Sequence, residues 1–504
     1  MKRILKLLAS LFIVLTVAGC SQSESASITS LDDVGNSKIG VQTGTGYDTL
    51  LLEKCPDAQI LTFSDVSGMY MSLNSNKIDA FVAESSIESD ITSQYENFEY
   101  LKDEAIAVQD ISIAVGDNET LLLAQLNDFI DKCNEDGTTD ALIDRWLNNF
   151  DSENTEIDRT QGTGEKIVVA FEGGFIPYSF ISNNIYTGYD IDFIYRFARA
   201  YNYQVELLPV SYDSIPTALK TGKANLGMNI IVDEERAESL TFTKAYSHQS
   251  LYLVINNGEV TSSGFSIDSI IKSFEKTFLK ENRWQMFADG LLMTVKISLI
   301  SIVLGTIFGI LIYLLCFNSK SFVTRIFDRI FGLLDKLPTV LLLLVFYYII
   351  FGNSTLSADI VSIVLFTILF TSIMYSAIQT GVKAIGVGQY EAALAQGFTK
   401  NQAFRKIIFP QVIKYISSIY KDGVISIIAE TSIVGYIAVQ DLTKATDLVR
   451  AVTFEAFFPL ISSAIIYLIF IDIILLIVSR LEFNFFTPEK RSKKKILKGI
   501  KEHD

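Results

Sequence analysis

Apolar positions follow two different rhythms along this chain, and the rhythm changes near residue 260. Before that point, short apolar runs suited to strands alternate with stretches whose apolar residues recur every three or four positions. KIGVQTGTGYDTLLLEK (38–54) reads as a strand, a glycine-bearing turn and a helix, and KIDAFVAESS (77–86) as a buried strand. IVVAFEGGFIPYSF (167–180) is a strand followed by an aromatic turn, and GYDIDFIYRFARAYNYQVELLPV (188–210) a helix and then a strand. Residues 212–243 continue the alternation, which predicts α/β lobes. Beyond 260 the apolar runs lengthen to about 20 residues, enough to cross a bilayer as helices. Five such spans are read, near 291–316, 330–351, 358–380, 416–438 and 459–481. Ahead of them Ile267, Ile270, Ile271, Phe274 and Phe278 recur at helical spacing opposite Asp268, Lys272, Glu275 and Lys276, with Trp284 following. That pattern predicts a helix lying in the membrane interface.

Charge sharpens the division. Residues 21–260 carry 39 acidic and 14 basic side chains, and residues 261–504 carry 18 acidic and 25 basic. An acidic soluble half joined to a mildly basic membrane half argues against nucleic-acid binding. The basic residues gather in alternate loops. Lys320, Arg325 and Arg329 follow the first span, Lys383, Lys400, Arg405, Lys406 and Lys414 lie between the third and fourth, and seven more follow the fifth. The loop at 352–357 holds none, and 439–458 only Lys444 and Arg450. Lys and Arg favour the inner side. The first span therefore starts outside, the C-terminus lies inside, and the acidic half is extracytoplasmic. The N-terminus fits this orientation: Lys2, Arg3 and Lys6 precede the short apolar core LLASLFIVLTV, as in a signal segment. Its end, Val17-Ala18-Gly19-Cys20, resembles a lipoprotein signal-peptidase site, with Cys20 as the lipidated residue. Cys55 and Cys133 fall on the oxidising side and are read as two free thiols. His248 and His503 have no metal-site spacing, and no metal ligand set is expected.

Between the third and fourth spans, on the inner side, stands QYEAALAQGFTKNQAFRKIIFP (389–410). Ala392, Ala393 and Ala395 favour a helix, Gly397 can close it in the left-handed conformation, and Thr399 with Gln402 matches a capping box for a second helix. Phe404, Ile407 and Ile408 give that helix one apolar face, and Pro410 is expected to stop it. A small-residue hairpin of this kind is a docking element. It resembles the EAA loop of the permease subunits of ABC-type importers, which inserts into a groove on the ATPase; the matching positions are Glu391, Ala392, Ala393, Gly397 and Pro410. The resemblance to amino-acid-type importer permeases (the histidine/glutamine type) covers roughly 284–483. Gly290, Thr294 and Ser298 stand where the family has its opening Gly-x-x-x-Thr-x-x-x-Ser run, and AETSIVGYIAVQDL (429–442) resembles its fourth span. In the second span Asp335-Lys336-Leu337-Pro338 replaces the family's Arg-Gly-Thr-Pro.

Residues 21–260 resemble the periplasmic amino-acid-binding proteins, whose two lobes close on a ligand. The lobe order is reversed here. Residues 29–115 resemble the second lobe, 123–147 the returning helix and 166–250 the first lobe, with 251–257 as the crossing strand. The expected fold is thus an α/β two-lobed binding domain, type II periplasmic-binding-protein-like with permuted lobes, followed by an all-α five-helix transmembrane domain. Its expected parts are a signal segment at 1–20, the binding domain at 21–260, a linker with the interfacial helix at 261–288, the permease at 289–483 and a basic tail at 484–504. An α-carboxylate needs a guanidinium fork and N–H donors, and an α-ammonium needs a carboxylate. By position in the family pattern, Arg236 would meet the carboxylate, with Thr45 and Gly46 presenting donors. Glu84 would meet the ammonium, Phe175 and Tyr212 would enclose the side chain, and Glu172 would contact its polar end. The run GMNIIVDEER (227–236) departs from the family's Gly-x-Thr-Ile-Thr-x-x-Arg spacing and loses its Thr ligand.

These features imply the substrate-binding and permease subunit of an ATP-driven amino-acid importer, and not an enzyme. The sequence contains no G-x-x-x-x-G-K-[ST] phosphate loop, so ATP and Mg would sit on a separate cytoplasmic ATPase dimer docked at 389–410. The pore would need a second permease subunit, expected to be an identical chain, in membrane lipid. A ligand-gated channel would need a filter sequence, and a sensor would need a cytoplasmic signalling domain; the sequence contains neither.

Overall fold

The computed structural model describes residues 28–486, apart from 89–90, 93–94, 118, 233, 259–266, 319–320, 353, 355, 454 and 456. The expected signal segment with Cys20, and the expected basic tail from residue 487 on, lie outside the described residues. The chain forms two compact units. One runs to Gln109 and resumes at Gln249; the other comprises Asp110–His248 and everything from Ser262.

The first unit contains β1 (Lys38–Gln42), α1 (Tyr47–Lys54), β2 (Gln59–Phe63), α2 (Val66–Asn74), β3 (Ala80–Glu84) and β4 (Phe98–Tyr100). β1 lies between β2 and β3, parallel to both. β3 pairs on its other edge with residues 251–255 of a late antiparallel strand, which also carries β4. Ile39, Leu51, Leu73 and Phe81 fill the core, with the Tyr70 ring 5.1 Å from that of Phe81.

The chain enters the second unit within β5 (Ala107–Val115). Helices α3 (Thr120–Glu135) and α4 (Thr138–Ile143) follow, then β6 (Lys166–Glu172), β7 (Phe180–Ser182), β8 (Ile185–Thr187), α5 (Tyr189–Ala200), β9 (Gln204–Val210), α6 (Ile215–Lys220), β10 (Leu226–Ile231), α7 (Glu234–Ser239), β11 (Thr241–Phe242) and β12 (Ser247–Asn256). β6 lies between β9 and β10, parallel to both, and β10 runs antiparallel to β5. The segment at 120–148 packs on this lobe. Phe129 meets Phe193 and Phe197 edge to face, and Trp146 donates its indole N–H to Asp192 at 3.1 Å.

In the same unit lie α8 (Ile267–Phe274), α9 (Trp284–Asn318), α10 (Ser321–Leu334), α11 (Thr339–Leu344), α12 (Ala358–Ala384), α13 (Val387–Ala395), α14 (Lys400–Ala403), α15 (Phe409–Glu430), α16 (Leu442–Thr453) and α17 (Phe457–Phe486). Among the described residues three helices are long and apolar enough to cross a membrane: Trp284–Phe317, Ala358–Ala384 and Phe457–Leu481. Two bent pairs raise the count to five. The second expected span is not one helix. It bends by 106° between Leu334 and Thr339, where Pro338 has no N–H to continue the ladder. Asp335 lies at this break and accepts a hydrogen bond from Ser372 at 3.0 Å. The fourth bends by 53° after Ile437. One ridge of small residues on α9 explains the tightest packing. A Cβ on Gly290 would stand 2.7 Å from the Asp441 carbonyl oxygen, and one on Gly305 3.0 Å from that of Thr367. Thr294 and Ser298, between them, are fully buried. Close helix approach in a bilayer needs such a ridge.

A helix, α8, forms where the interfacial helix is expected, with Ile270, Ile271 and Phe274 exposed. The compact units divide the chain differently from a binding domain at 21–260 and a permease at 289–483. The lobe at 166–248 belongs to the same unit as the membrane helices.

Candidate functional site

The expected ligand residues fall into two groups, one in each unit. In the first unit the turn after β1 sets Gly46 at φ +77°, a left-handed position that costs glycine nothing. Thr45 is buried and its hydroxyl donates to the Gln42 carbonyl at 2.8 Å. Its own amide reaches the same carbonyl at 3.4 Å, so Thr45 is engaged within the turn. Glu84 ends β3 and is 6% exposed. Burial holds its carboxyl above the ordinary value, partly offset by a hydrogen bond donated by the Tyr47 hydroxyl. Tyr47, the first residue of α1, was not among the expected site residues. Its signal was its place at a helix start directly after the glycine turn. A cation entering beside Glu84 would favour the charged carboxylate that burial disfavours.

In the second unit Tyr212 and Arg236 come together. The Arg236 guanidinium carbon stands 5.7 Å from the centre of the Tyr212 ring, and Nη1 donates to the Ile231 carbonyl at 3.0 Å. The Ile231 amide in turn donates to the Tyr212 hydroxyl at 3.2 Å. The end of β10 therefore clamps both residues. Ile231 occupies this end with an apolar side chain, in the run where the family spacing was lost. Phe175 lies in the loop after β6, stacked on Tyr178 with ring centres 5.2 Å apart. Glu172 ends β6, and its carbonyl accepts from the Ser179 hydroxyl at 2.6 Å. The same lobe holds a buried polar group that sequence reasoning passed over. Asp190 is fully buried, and its Oδ1 accepts a short hydrogen bond from the Tyr246 hydroxyl. Oδ2 has no hydrogen-bond partner, and the amide nitrogen of Asn229 also has none. Asn229 stands beside Asp190 on β10 at φ +56°, where its side-chain amide favours the charged carboxyl and partly offsets burial. Burial raises the Asp190 carboxyl to about 7. Asp192, two residues on, is equally buried but receives Arg145, Arg196 and Trp146.

The hairpin at 389–410 forms as expected up to its end. α13 closes at Gly397, φ +86°, and Thr399 and Gln402 complete the reciprocal capping box. Glu391, Ala392 and Gly397 are exposed, whereas Ala393 is 2% exposed and faces inward. Phe404 packs on Tyr313 and Phe317, at 5.8 and 4.8 Å between ring centres. Pro410 does not stop the second helix. A wide turn over Phe404–Ile408 precedes α15, and Pro410 sits in its first turn, where no amide hydrogen is needed. Cys55, Cys133 and Cys316 are free thiols, and no cluster of metal-ligating side chains occurs among the described residues.

An α/β solute-binding region built onto a bundle of apolar helices, with a small-residue hairpin between two of them, defines a membrane-bound binding protein with a permease-like part. The chain belongs to the bacterial extracellular solute-binding proteins, family 3, whose profile matches residues 167–433. Its membrane half is similar to a putative glutamine transport system permease protein of Rickettsia typhi, 28% identical over 200 residues, covering 38% of this chain and 90% of the relative. It is also similar to the histidine/lysine/arginine/ornithine transport system permease protein of Escherichia coli, 26% identical over 216 residues, covering 40% and 95%. Among solved structures, one described as an amino acid ABC transporter with histidines aligns at a TM-score of 0.38 and 25% identity, covering 44% of this chain and 99% of that one.

Proposed function

We propose that this chain is the substrate-capturing and permease subunit of an ATP-driven importer that takes up an amino acid. The observation that carries this reading is the union, in one chain, of a family 3 solute-binding match and a membrane half similar to amino-acid permeases along nearly their whole length. Arg236, steadied over Tyr212, is the group for the ligand carboxylate, together with the Thr45–Gly46 turn, where a ligand would draw the Thr45 donors away from the Gln42 carbonyl. Glu84 takes the ammonium, Phe175 and Tyr212 line the side-chain space, and Glu172 meets a polar end. Two acidic candidates favour a polar or basic amino acid. A permuted lobe order is supported by the packing of the segment at 120–148 on the later lobe.

The remaining parts of the machine follow from the hairpin and the charge pattern. Exposed Glu391, Ala392 and Gly397 form the contact for a cytoplasmic ATPase dimer that brings ATP and Mg, and buried Ala393 supports them from below. A second permease subunit, an identical chain, completes the pore. The binding lobes lie outside, the C-terminus inside, and Cys20 carries the lipid. The test is a thermal-shift screen of the purified full chain against all amino acids, followed by uptake assays in vesicles carrying the chain and its ATPase. A shift with one or a few amino acids, and ATP-dependent uptake of the same ones, is expected. No shift with any amino acid would remove the binding assignment.

A further inference from the structure

Several patches join the lobe at 166–248 to the membrane helices of its unit, and three of them show how they hold. The first is apolar: Ile181 of β7 is packed with Met286, Phe287, Leu442 and Val449, all buried. Around it lie polar contacts, with the Asn184 amide donating to Gln285 Oε1 at 2.8 Å and Gln440 donating to the Tyr186 hydroxyl at 2.6 Å. The second is Lys223, whose ammonium donates to the carbonyls of Phe351 and Ser354 at 2.7 and 3.1 Å and lies 4.8 Å from the centre of the Tyr347 ring. The third is the loop after β6. Gly174 meets α16 so closely that a Cβ there would stand 2.9 Å from that of Ala451.

An apolar centre with a hydrogen-bonded polar rim is the make-up of a specific interface. Interfaces between mobile domains are more polar and leave relative motion as the default. Here the contacts are spread over three places on the helical part, so that no single hinge serves them all. The third patch also adjoins Glu172 and Phe175, which puts one wall of the candidate ligand site directly on α16. We propose that the lobe at 166–248 is a fixed part of the membrane domain and stays docked through the transport cycle, so that ligand passes into the helices without the lobe leaving. This rests on the importer reading, and the test separates the two.

The experiment uses the full chain carrying Asn184→Cys and Gln285→Cys, both exposed positions outside the candidate ligand residues. A short bis-maleimide, each arm adding one cysteine thiol, links them in membranes with the ATPase, without amino acid, with the amino acid that gives the thermal shift, and with that amino acid plus ATP. The linked peptide is quantified by mass spectrometry, and uptake is measured before and after linking. Equal, near-complete linkage in all three states is expected, with uptake within twofold of the unlinked variant. Little linkage in any state, linkage that falls severalfold on turnover, or uptake that drops tenfold on linking would overturn the proposal. Absence of uptake in the wild-type chain would instead remove the importer reading. Docking would then be judged by linkage yield alone. A second pair, Lys223→Cys with Ser354→Cys, guards against a local effect of the first and has the same expected and overturning outcomes.

Discussion

Replacing Asp190 by asparagine should make the binding lobe less sensitive to pH, and the size of the change can be worked from the structure. Asp190 is fully buried, with one hydrogen bond from Tyr246 to Oδ1 and none to Oδ2. Desolvation raises its carboxyl from the ordinary 3.8 to about 7. In the folded chain the group keeps its proton over this interval, whereas in the unfolded chain it has lost it. The stabilisation is complete below 3.8 and is lost as pH rises through about 7. At 1.36 kcal/mol per pH unit the full swing is ~4 kcal/mol, an upper bound because buried sites relax and admit water. The amide is close in shape, and its oxygen still accepts from Tyr246, but it does not titrate. Thermal or denaturant unfolding of both proteins in the same detergent, at steps from pH 4 to 8, gives the difference in stability. It should move in favour of the Asp190→Asn variant by ~2–4 kcal/mol between pH 4 and 7 and then level off. Curves that stay parallel within about 0.5 kcal/mol would mean that Asp190 is charged in the fold and that a donor or water satisfies Oδ2.

Three further outcomes follow. Gly397→Val should strain the left-handed turn by about 1–3 kcal/mol while meeting no neighbour, so that uptake is lost and amino-acid binding is kept; normal uptake would refute the docking role. Glu84→Gln keeps an oxygen for the Tyr47 hydroxyl but removes the charge, and calorimetry should find at least tenfold weaker amino-acid binding with unchanged folding. Gly305→Leu would drive a side chain into Phe370 and the Thr367 carbonyl, and should lower the yield of folded protein in detergent by size-exclusion chromatography.

Much of this architecture is legible in the sequence because it is local. The capping box of Thr399 and Gln402 forms as the four-residue spacing predicts, and the small ridge of α9 is visible as Gly290, Thr294 and Ser298. The strand–turn–helix around Gly46 is equally readable. The break at Asp335–Pro338 was not, because hydropathy averages over a window and cannot register a 106° turn inside an apolar run. Pro410 misled for the opposite reason: a proline that stops one helix can equally begin the next. The candidate site shows the same limit. Arg236 and Tyr212 are candidates by pattern alone, whereas the Ile231 backbone that clamps them and the Tyr47 hydroxyl on Glu84 depend on three-dimensional register. The union of the 166–248 lobe with the helices leaves no trace in sequence at all. Its partners, such as Lys223 and Phe351, are far apart along the chain and share no periodicity.

The strand β12 carries a consequence for biosynthesis. β3 is buried along its whole length, yet its outer edge is closed only by residues 251–255, which are made long after it. During synthesis the chain from Ala80 to Glu84 must therefore wait with an open hydrogen-bonding edge while the intervening segment is still being made. A chaperone that shields extended apolar strands would be needed most in that interval. Truncation just before residue 249 should leave a first unit prone to aggregate, and truncation after 258 one that is not.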